Sequence, residues 1–292
     1  MYNPVIHIGY PKTGTTWFSE SYYSKIKNIN FLPPELFLTQ ITEPCFKAPK
    51  SDNNMRLVIL HPELTGVRRF IWDKGIQRNI IANSLKKHFP DATIIIFLRN
   101  QLDFLTSAYI YYVRKGGTYT PVTILDMIIK GELNFTLDYL KYNETIELYE
   151  SIFGKNNVHV YLFEDFYCDT VTFITDYSKR YNFDIEIEHI NFSPVNEKLC
   201  YRLMSYMRIS NYFTKADTPF KTYYINCNWI YRNINMKYNK FNKWKIFGNK
   251  PETTNLFRPD QILYVNDYFR ASNKELQKNF MLADILKYNY PL

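Results

Sequence analysis

The chain has 292 residues, 46% of them hydrophobic, with 26 Tyr and 22 Phe spread along its length; this suffices for a core without covalent staples and excludes disordered and low-complexity chains. Its formal net charge of +8, from 36 Lys and Arg against 28 Asp and Glu, attracts anions such as nucleotides, acidic glycans or nucleic acid without choosing among them. The basic residues are scattered rather than gathered into an arm, which argues against general nucleic-acid binding, and Cys45, Cys168, Cys200 and Cys227 form no CxxC pair, so neither a disulfide framework nor a zinc site is expected.

Val5, Ile6 and Ile8 predict a buried strand over 4–9, and a helix over 15–28 then presents Trp17, Phe18 and Tyr22 inward. Residues 30–55, rich in Pro, Asn and Lys, read as a short strand at Phe31-Leu32 and an irregular surface excursion. The run Arg56 to Leu60 predicts a strand ending at His61-Pro62, and apolar residues at 76, 80, 81 and 85 predict a helix over 76–88. Residues 92–98 carry the strongest strand signal of the chain. Their continuous β-branched character implies burial on both faces, hence a central parallel strand, with a helix following from Leu102 to Val113. Helices over 137–153 and 169–181 flank a strand from Val158 to Phe163.

This alternation through residue 182 predicts a three-layer, P-loop-like α/β fold with a central parallel sheet flanked by helices. Helices over 196–209 and 259–280 follow, while 211–257, dense in Asn, Lys and Tyr, reads as a capping segment. No linker-like stretch separates them, so 1–292 is expected to form one domain, with a nucleotide-binding core over 1–182 and a cap over 183–292. There is no signal-peptide pattern at the N-terminus and no apolar run of membrane-spanning length, which predicts a cytoplasmic chain without membrane insertion. In such a chain Asn134-Phe135-Thr136 and Asn143-Glu144-Thr145 match the glycosylation pattern by chance.

The chemistry is concentrated in Ile6-His7-Ile8-Gly9-Tyr10-Pro11-Lys12-Thr13-Gly14-Thr15-Thr16-Trp17. A strand, a glycine-bounded turn and a helix point backbone N–H groups at one spot; the helix dipole adds partial positive charge there and Lys12 a full one, which suits a phosphate. The loop departs from that of nucleotide hydrolases, which needs Gly, four residues and then Gly-Lys-Ser/Thr; here Lys12 lies inside the turn. A plain turn punctuated by Gly and Pro is the alternative. Ligands of open parallel sheets bind beyond the carboxyl ends of the strands, so the 10–16 loop, His61-Pro62-Glu63 and Arg99-Asn100-Gln101 share one rim. Ser107 lies about two helical turns beyond Arg99. The two can grip a second phosphate, the guanidinium by bidentate pairing and the serine by its hydroxyl.

Both motifs resemble those of sulfotransferases that use 3′-phosphoadenosine 5′-phosphosulfate (PAPS). Pro11-Lys12-Thr13-Gly14-Thr15-Thr16 is similar to that family's Pro-Lys-x-Gly-Thr-Thr loop for the 5′-phosphosulfate, and Arg99 with Ser107 to its second motif, which takes the 3′-phosphate. The wording from His7 to Thr16 and from Arg99 to Gly117 is most similar to bacterial carbohydrate sulfotransferases, over about residues 4–182. The resemblance implies PAPS as cosubstrate, no metal, and a hydroxyl acceptor, a glycan rather than a phenol. It places Lys12 on the bridging oxygen, Tyr10, Pro11 and Thr13 through Gly14, Thr15, Thr16 and Trp17 around the 5′-phosphate, and Arg99 and Ser107 on the 3′-phosphate. Phe163-Glu164-Asp165-Phe166 is similar to the Glu-Asp element after the family's last main strand, and Asn273 falls in a stretch similar to its C-terminal helix. Lys243, Lys245 and Lys250 around Gly248 are candidates for its basic lid, although Phe247-Gly248-Asn249-Lys250 departs from the wording of the cytosolic members.

Transfer to a hydroxyl needs a base. His61, an imidazole on the same rim, suits the task near neutrality, and Glu63 is its rival; a turn-capping role beside Pro62 is the structural alternative for His61. His7, inside the first strand, reads as a hydrogen-bonded core histidine. Arg114-Lys115-Gly116-Gly117 forms either a turn near the acceptor or a glycine-terminated helix end. Trp72, with Arg68 and Arg69, either frames the glycan or the adenine or packs in the core. Two other functions use the same device. An NTP-dependent phosphotransferase lacks support from a Gly-Lys-Ser/Thr ending or an apolar-Asp strand end for Mg²⁺, and a non-catalytic binder of anionic ligands needs neither Lys12 nor His61 for turnover.

Overall fold

Five parallel strands organise the chain in the computed structural model, which describes residues 3–33, 55–66, 77–193, 195, 197–214, 221–222, 224–227, 229, 237–280 and 282–292. They are β1 (Val5–Gly9), β2 (Ile29–Leu32), β3 (Arg56–Leu60), β4 (Thr93–Leu98) and β5 (Val158–Leu162), in the order β2-β3-β1-β4-β5. Every pairing is parallel. The chain builds β2 and β3 on one side of β1 and β4 and β5 on the other, so the strand order switches at the carboxyl end of β1, where open sheets form their ligand crevice.

Alternation along the strands fills two cores. Ile6 and Ile8 of β1, Leu57 and Ile59 of β3 and Ile94, Ile96 and Leu98 of β4 face one of them. Val5, Val58, Leu60, Ile95 and Phe97 face the other. All six residues of β4 are buried, as its unbroken apolar run predicts.

Nine helices are used below: α1 (Thr15–Trp17), α2 (Arg78–His88), α3 (Gln101–Arg114), α4 (Pro121–Ile129), α5 (Tyr142–Phe153), α6 (Phe163–Cys168), α7 (Thr170–Tyr181), α8 (Tyr201–Ser210) and α9 (Pro259–Asn279). α2, α3, α5 and α9 cover the first face through Leu85, Phe104, Ile146 and Phe269. α7 and the residues after α1 cover the second through Ile174, Tyr177, Phe18 and Tyr22. Leu203, Met204 and Met207 of α8 join the same buried cluster as β4, so residues beyond 182 complete the sheet's cover.

Several elements differ from the sequence reading, among them α6, which begins at Phe163 where the strand is expected to continue. The helix expected over 15–28 is α-helical only to Trp17 and continues as a π turn, Phe18–Tyr22, and a 3₁₀ turn, Tyr23–Lys25. Trp17, Phe18, Tyr22 and Tyr23 all bury their rings, which needs more of the circumference than one α-helical face offers. The helix expected over 137–153 breaks at Lys141, which leaves helical geometry at φ −74°, ψ 86°. That break lets Tyr139 and Tyr142 both pack on Tyr10, at 5.1 and 4.8 Å between ring centroids. α4 has no counterpart in the sequence reading, although Thr120 caps it and Pro121 starts it, a helix-start signal legible in the chain.

The surface excursion expected over 30–55 lies mostly outside the described residues, as do Cys45, Arg68, Arg69 and Trp72 and much of 211–236. Among the described residues Cys168, Cys200 and Cys227 are unpaired, and no helix is long and apolar enough to cross a membrane. Asn143 is buried and its amide donates to Glu275 at 2.5 Å, a packed environment that a glycan does not fit.

Candidate functional site

The loop between β1 and α1 takes its path from three left-handed residues, Gly9 at φ 102°, Lys12 at φ 67° and Gly14 at φ 80°. A Cβ on Gly9 would stand 2.8 Å from the Pro62 carbonyl oxygen and 2.9 Å from its Cα, so only glycine lets β1 end against the His61-Pro62 turn. Inside the loop the Thr13 hydroxyl donates to the Tyr10 carbonyl at 2.5 Å, and the Tyr10 N–H donates to the Phe97 carbonyl at 3.0 Å. The loop is thereby tied to β4. No side chain caps α1, and the Thr15 and Thr16 hydroxyls have no hydrogen-bond partner among the described residues. Those donors and the first helical N–H groups are groups that an anion can satisfy.

Three residues assigned to the cofactor from sequence direct their side chains away from the loop's open face. Tyr10 is fully buried with its hydroxyl 2.5 Å from Thr145 Oγ1, because its ring faces the core. Thr13 spends its hydroxyl inside the loop. Trp17 donates its ring N–H to the Asn191 carbonyl at 2.9 Å and packs on Phe166. Pro11, by contrast, is partly exposed, and Gly14 lies against Phe163 and Phe166, whose ring atoms would meet a Cβ there at 3.3–3.4 Å.

Arg99 emerges from β4 directly into this loop. The residue is 8% exposed, and its guanidinium donates from Nη1 to the Lys12 carbonyl at 2.7 Å and lies over the Phe163 ring at 4.7 Å. Its Nε is buried with no partner. An arginine carries five donors and one fixed charge; with one hydrogen bond made, this guanidinium has donors to offer an anion. Burial holds its pKa below the usual value, partly offset by Asp103 and Glu164.

The less buried stripe of α3 runs through Asp103, Ser107, Tyr111 and Arg114, spaced to lie on one helix face. Lys12 places its ammonium 4.4 Å from the centre of the Tyr111 ring, so this stripe faces the loop and Ser107 stands within it. The Ser107 hydroxyl has no hydrogen-bond partner among the described residues. Burial, and then the charges of Arg114, Arg99 and Lys115, lower the Lys12 pKa to about 7. Arg114 bonds through Nη2 to the Glu197 carbonyl, which brings the 197–198 segment to the same cleft. There burial, Arg99 and Lys250 hold the Lys198 pKa down, against Asp103 and Glu252.

Tyr111 and Lys198 are the site residues that sequence reasoning missed. Spacing from Ser107 could have found Tyr111; nothing local marks Lys198. Of the candidate lid lysines, Lys250 pairs with Glu197 at 3.6 Å beside Lys198, and Lys243 is exposed. Gly116 and Gly117 end α3 structurally: a Cβ on Gly117 would lie 2.2 Å from the Tyr112 ring.

His61 adjoins the loop through Gly9 and Pro62. Its Nδ1 accepts the Glu63 N–H at 3.1 Å, which caps the 3₁₀ turn Pro62–Thr65. A neutral imidazole accepting at Nδ1 carries its proton on Nε2, and burial lowers the His61 pKa to about 4. His7 is the buried core histidine expected, with Nδ1 3.3 Å from the Tyr23 hydroxyl and its ring stacked on Phe97. Among the described residues no cluster of His, Cys, Asp or Glu could hold a metal ion.

No family model matches this sequence, and no curated protein is matched by it. Among solved structures the chain is similar to mouse sulfotransferase SULT7A1 complexed with PAP, with a TM-score of 0.54 and 16% identity over 98% of this chain and 88% of that one. It also matches a sulfotransferase from Alicyclobacillus acidocaldarius with a TM-score of 0.48 and 18% identity, over 68% of this chain and 86% of that one. The chain has the fold of a sulfotransferase. In that fold the β1–α1 loop, Arg99 and the α3 stripe meet at the switch point of the sheet.

Proposed function

We propose that this protein is a sulfotransferase that moves the sulfonyl group of PAPS to a hydroxyl of a carbohydrate acceptor, releasing 3′-phosphoadenosine 5′-phosphate (PAP). The observation that carries the reading is the junction of the two motifs: the Arg99 guanidinium donates to the carbonyl of Lys12 itself. Loop and strand end can therefore clasp one nucleotide phosphorylated at both ends of its ribose. The acceptor oxygen forms a bond to sulfur as the bond from sulfur to the bridging oxygen breaks, and the negative charge left there falls to Lys12. The amides of residues 13–17 and the Thr15 and Thr16 hydroxyls hold the 5′-phosphate, and Arg99 and Ser107 the 3′-phosphate. As in phosphoryl transfer, positioning and charge stabilisation supply most of the catalysis.

Of the two candidates for the base, Glu63 takes the role in this reading. With Nδ1 committed to the Glu63 N–H, His61 acts as a donor from Nε2 toward the oxygens of the transferring group, and Glu63 takes the acceptor proton. A glycan acceptor is supported by Tyr224 and Trp244, which stand 70% and 50% exposed on the cap segment and offer faces on which sugars stack.

Incubation with ³⁵S-labelled PAPS and a panel of glycans, phenols and lipids tests the reading. Label is expected on glycans with and without chelator. A turnover that requires Mg²⁺ and a nucleoside triphosphate contradicts it, as does failure of PAP to bind in calorimetry.

A further inference from the structure

The C-terminal residues cross the end of β4 and fasten to the residues around Arg99. The Asn100 amide donates to the carbonyls of Tyr288 at 3.1 Å and Asn289 at 2.8 Å, while its Oδ1 caps α3 through the N–H groups of Leu102 and Asp103. Asn273 of α9 donates to the Pro291 carbonyl at 2.8 Å and accepts from Gln101 at 2.7 Å. The Tyr288 hydroxyl donates to Asp165 at 2.7 Å.

Glu164 is the hub of this arrangement. One of its carboxylate oxygens accepts the Asn100 N–H at 2.7 Å, and the other accepts the hydroxyl of buried Tyr290 at 3.1 Å. Its neighbour Phe163 supplies the ring under the Arg99 guanidinium. The Arg99 carbonyl is fixed in turn by the Tyr142 hydroxyl at 2.7 Å. The guanidinium makes one hydrogen bond, to the Lys12 carbonyl, and its Nε has none. One hydrogen bond leaves the direction of its other donors to the backbone that carries it and the ring beneath it.

We infer that Glu164 is a positioning residue: by holding the Arg99–Asn100 peptide and Phe163, with Tyr290 as its clamp, it aims the Arg99 guanidinium at the 3′-phosphate of the nucleotide. The inference rests on the nucleotide reading above and adds a role that neither motif contains. It makes the C-terminal segment part of the 3′-phosphate site without contact between that segment and the nucleotide.

Calorimetric titration of the full chain with PAP and with adenosine 5′-phosphate, which lacks the 3′-phosphate, tests it. Glu164→Ala is expected to weaken PAP binding about tenfold while leaving adenosine 5′-phosphate unchanged, the loss of a charge-assisted hydrogen bond felt at one end of the ligand. Glu164→Gln keeps an oxygen for the Asn100 N–H and is expected to restore most of the affinity. Tyr290→Phe should give a smaller loss of the same selectivity, and it carries the test if Glu164→Ala does not fold. Equal losses for both nucleotides, no loss for either, or a Glu164→Gln as weak as Glu164→Ala overturns the inference. If the wild-type chain itself does not bind PAP, the nucleotide reading fails instead.

Discussion

The surroundings of Lys12 disfavour its charged form. Burial and the charges of Arg114, Arg99 and Lys115 bring its pKa to about 7, and a phosphosulfate beside it reverses the balance by favouring the ammonium. Nucleotide binding above that pH therefore takes up a proton. PAP affinity should fall about tenfold per pH unit above neutrality, measured by calorimetry from pH 6 to 9, and a flat profile contradicts it. In the proposed reaction the ammonium is also the donor at the breaking bond, so Lys12→Ala should lower kcat by about a hundredfold or more. At His61 the residue scale revises the sequence reading: the type of side chain suggests a base, but the Glu63 N–H at its Nδ1 sets the tautomer. Glu63→Gln should then cost more in kcat than His61→Asn, and the reverse order in steady-state rates restores the histidine as base.

The working element is the β1–α1 unit, whose loop depends on backbone geometry more than on side-chain contacts. Gly9 lies at φ 102° with Pro62 backbone atoms inside 3 Å of any Cβ. Gly131 also has a positive φ, of 70°, but nothing within 4 Å of its Cβ position. Gly9→Ala should therefore destabilise the fold by well over about 1 kcal/mol, and Gly131→Ala only by the strain of its φ; urea unfolding of both variants checks the contrast. α3 is the second such element, with Asn100 capping two of its N–H groups. Legibility follows the same division. The motif from Gly9 to Trp17 and the reach from Arg99 to Ser107 are spelled out by neighbours in sequence. The π turn after α1 and the break at Lys141 answer to aromatic rings from elsewhere in the chain, and no local pattern contains those.

Across the whole molecule, burial within the two-sided sheet predicts an acid sensitivity. Burial lowers the His7 pKa to about 3 and that of His61 to about 4, against about 6.5 in an unfolded chain. Between those values the unfolded chain binds protons that the folded one refuses, so stability that is full above pH 6.5 is lost as pH falls toward 4. His7→Phe should shrink the difference between urea midpoints at pH 7 and pH 4.5; an unchanged difference contradicts the assignment. The chain by itself settled the parallel α/β architecture, the buried β4 and the glycine-bounded turn from β1 into α1, because strand alternation, helical spacing and glycine punctuation act over a few residues. Tertiary structure alone decided that Arg99 meets the Lys12 carbonyl, that Lys12 faces Tyr111, and that Glu164 joins the C-terminal residues to the end of β4. These contacts join residues far apart in the chain, and strand order, which spacing does not encode, sets which of them meet.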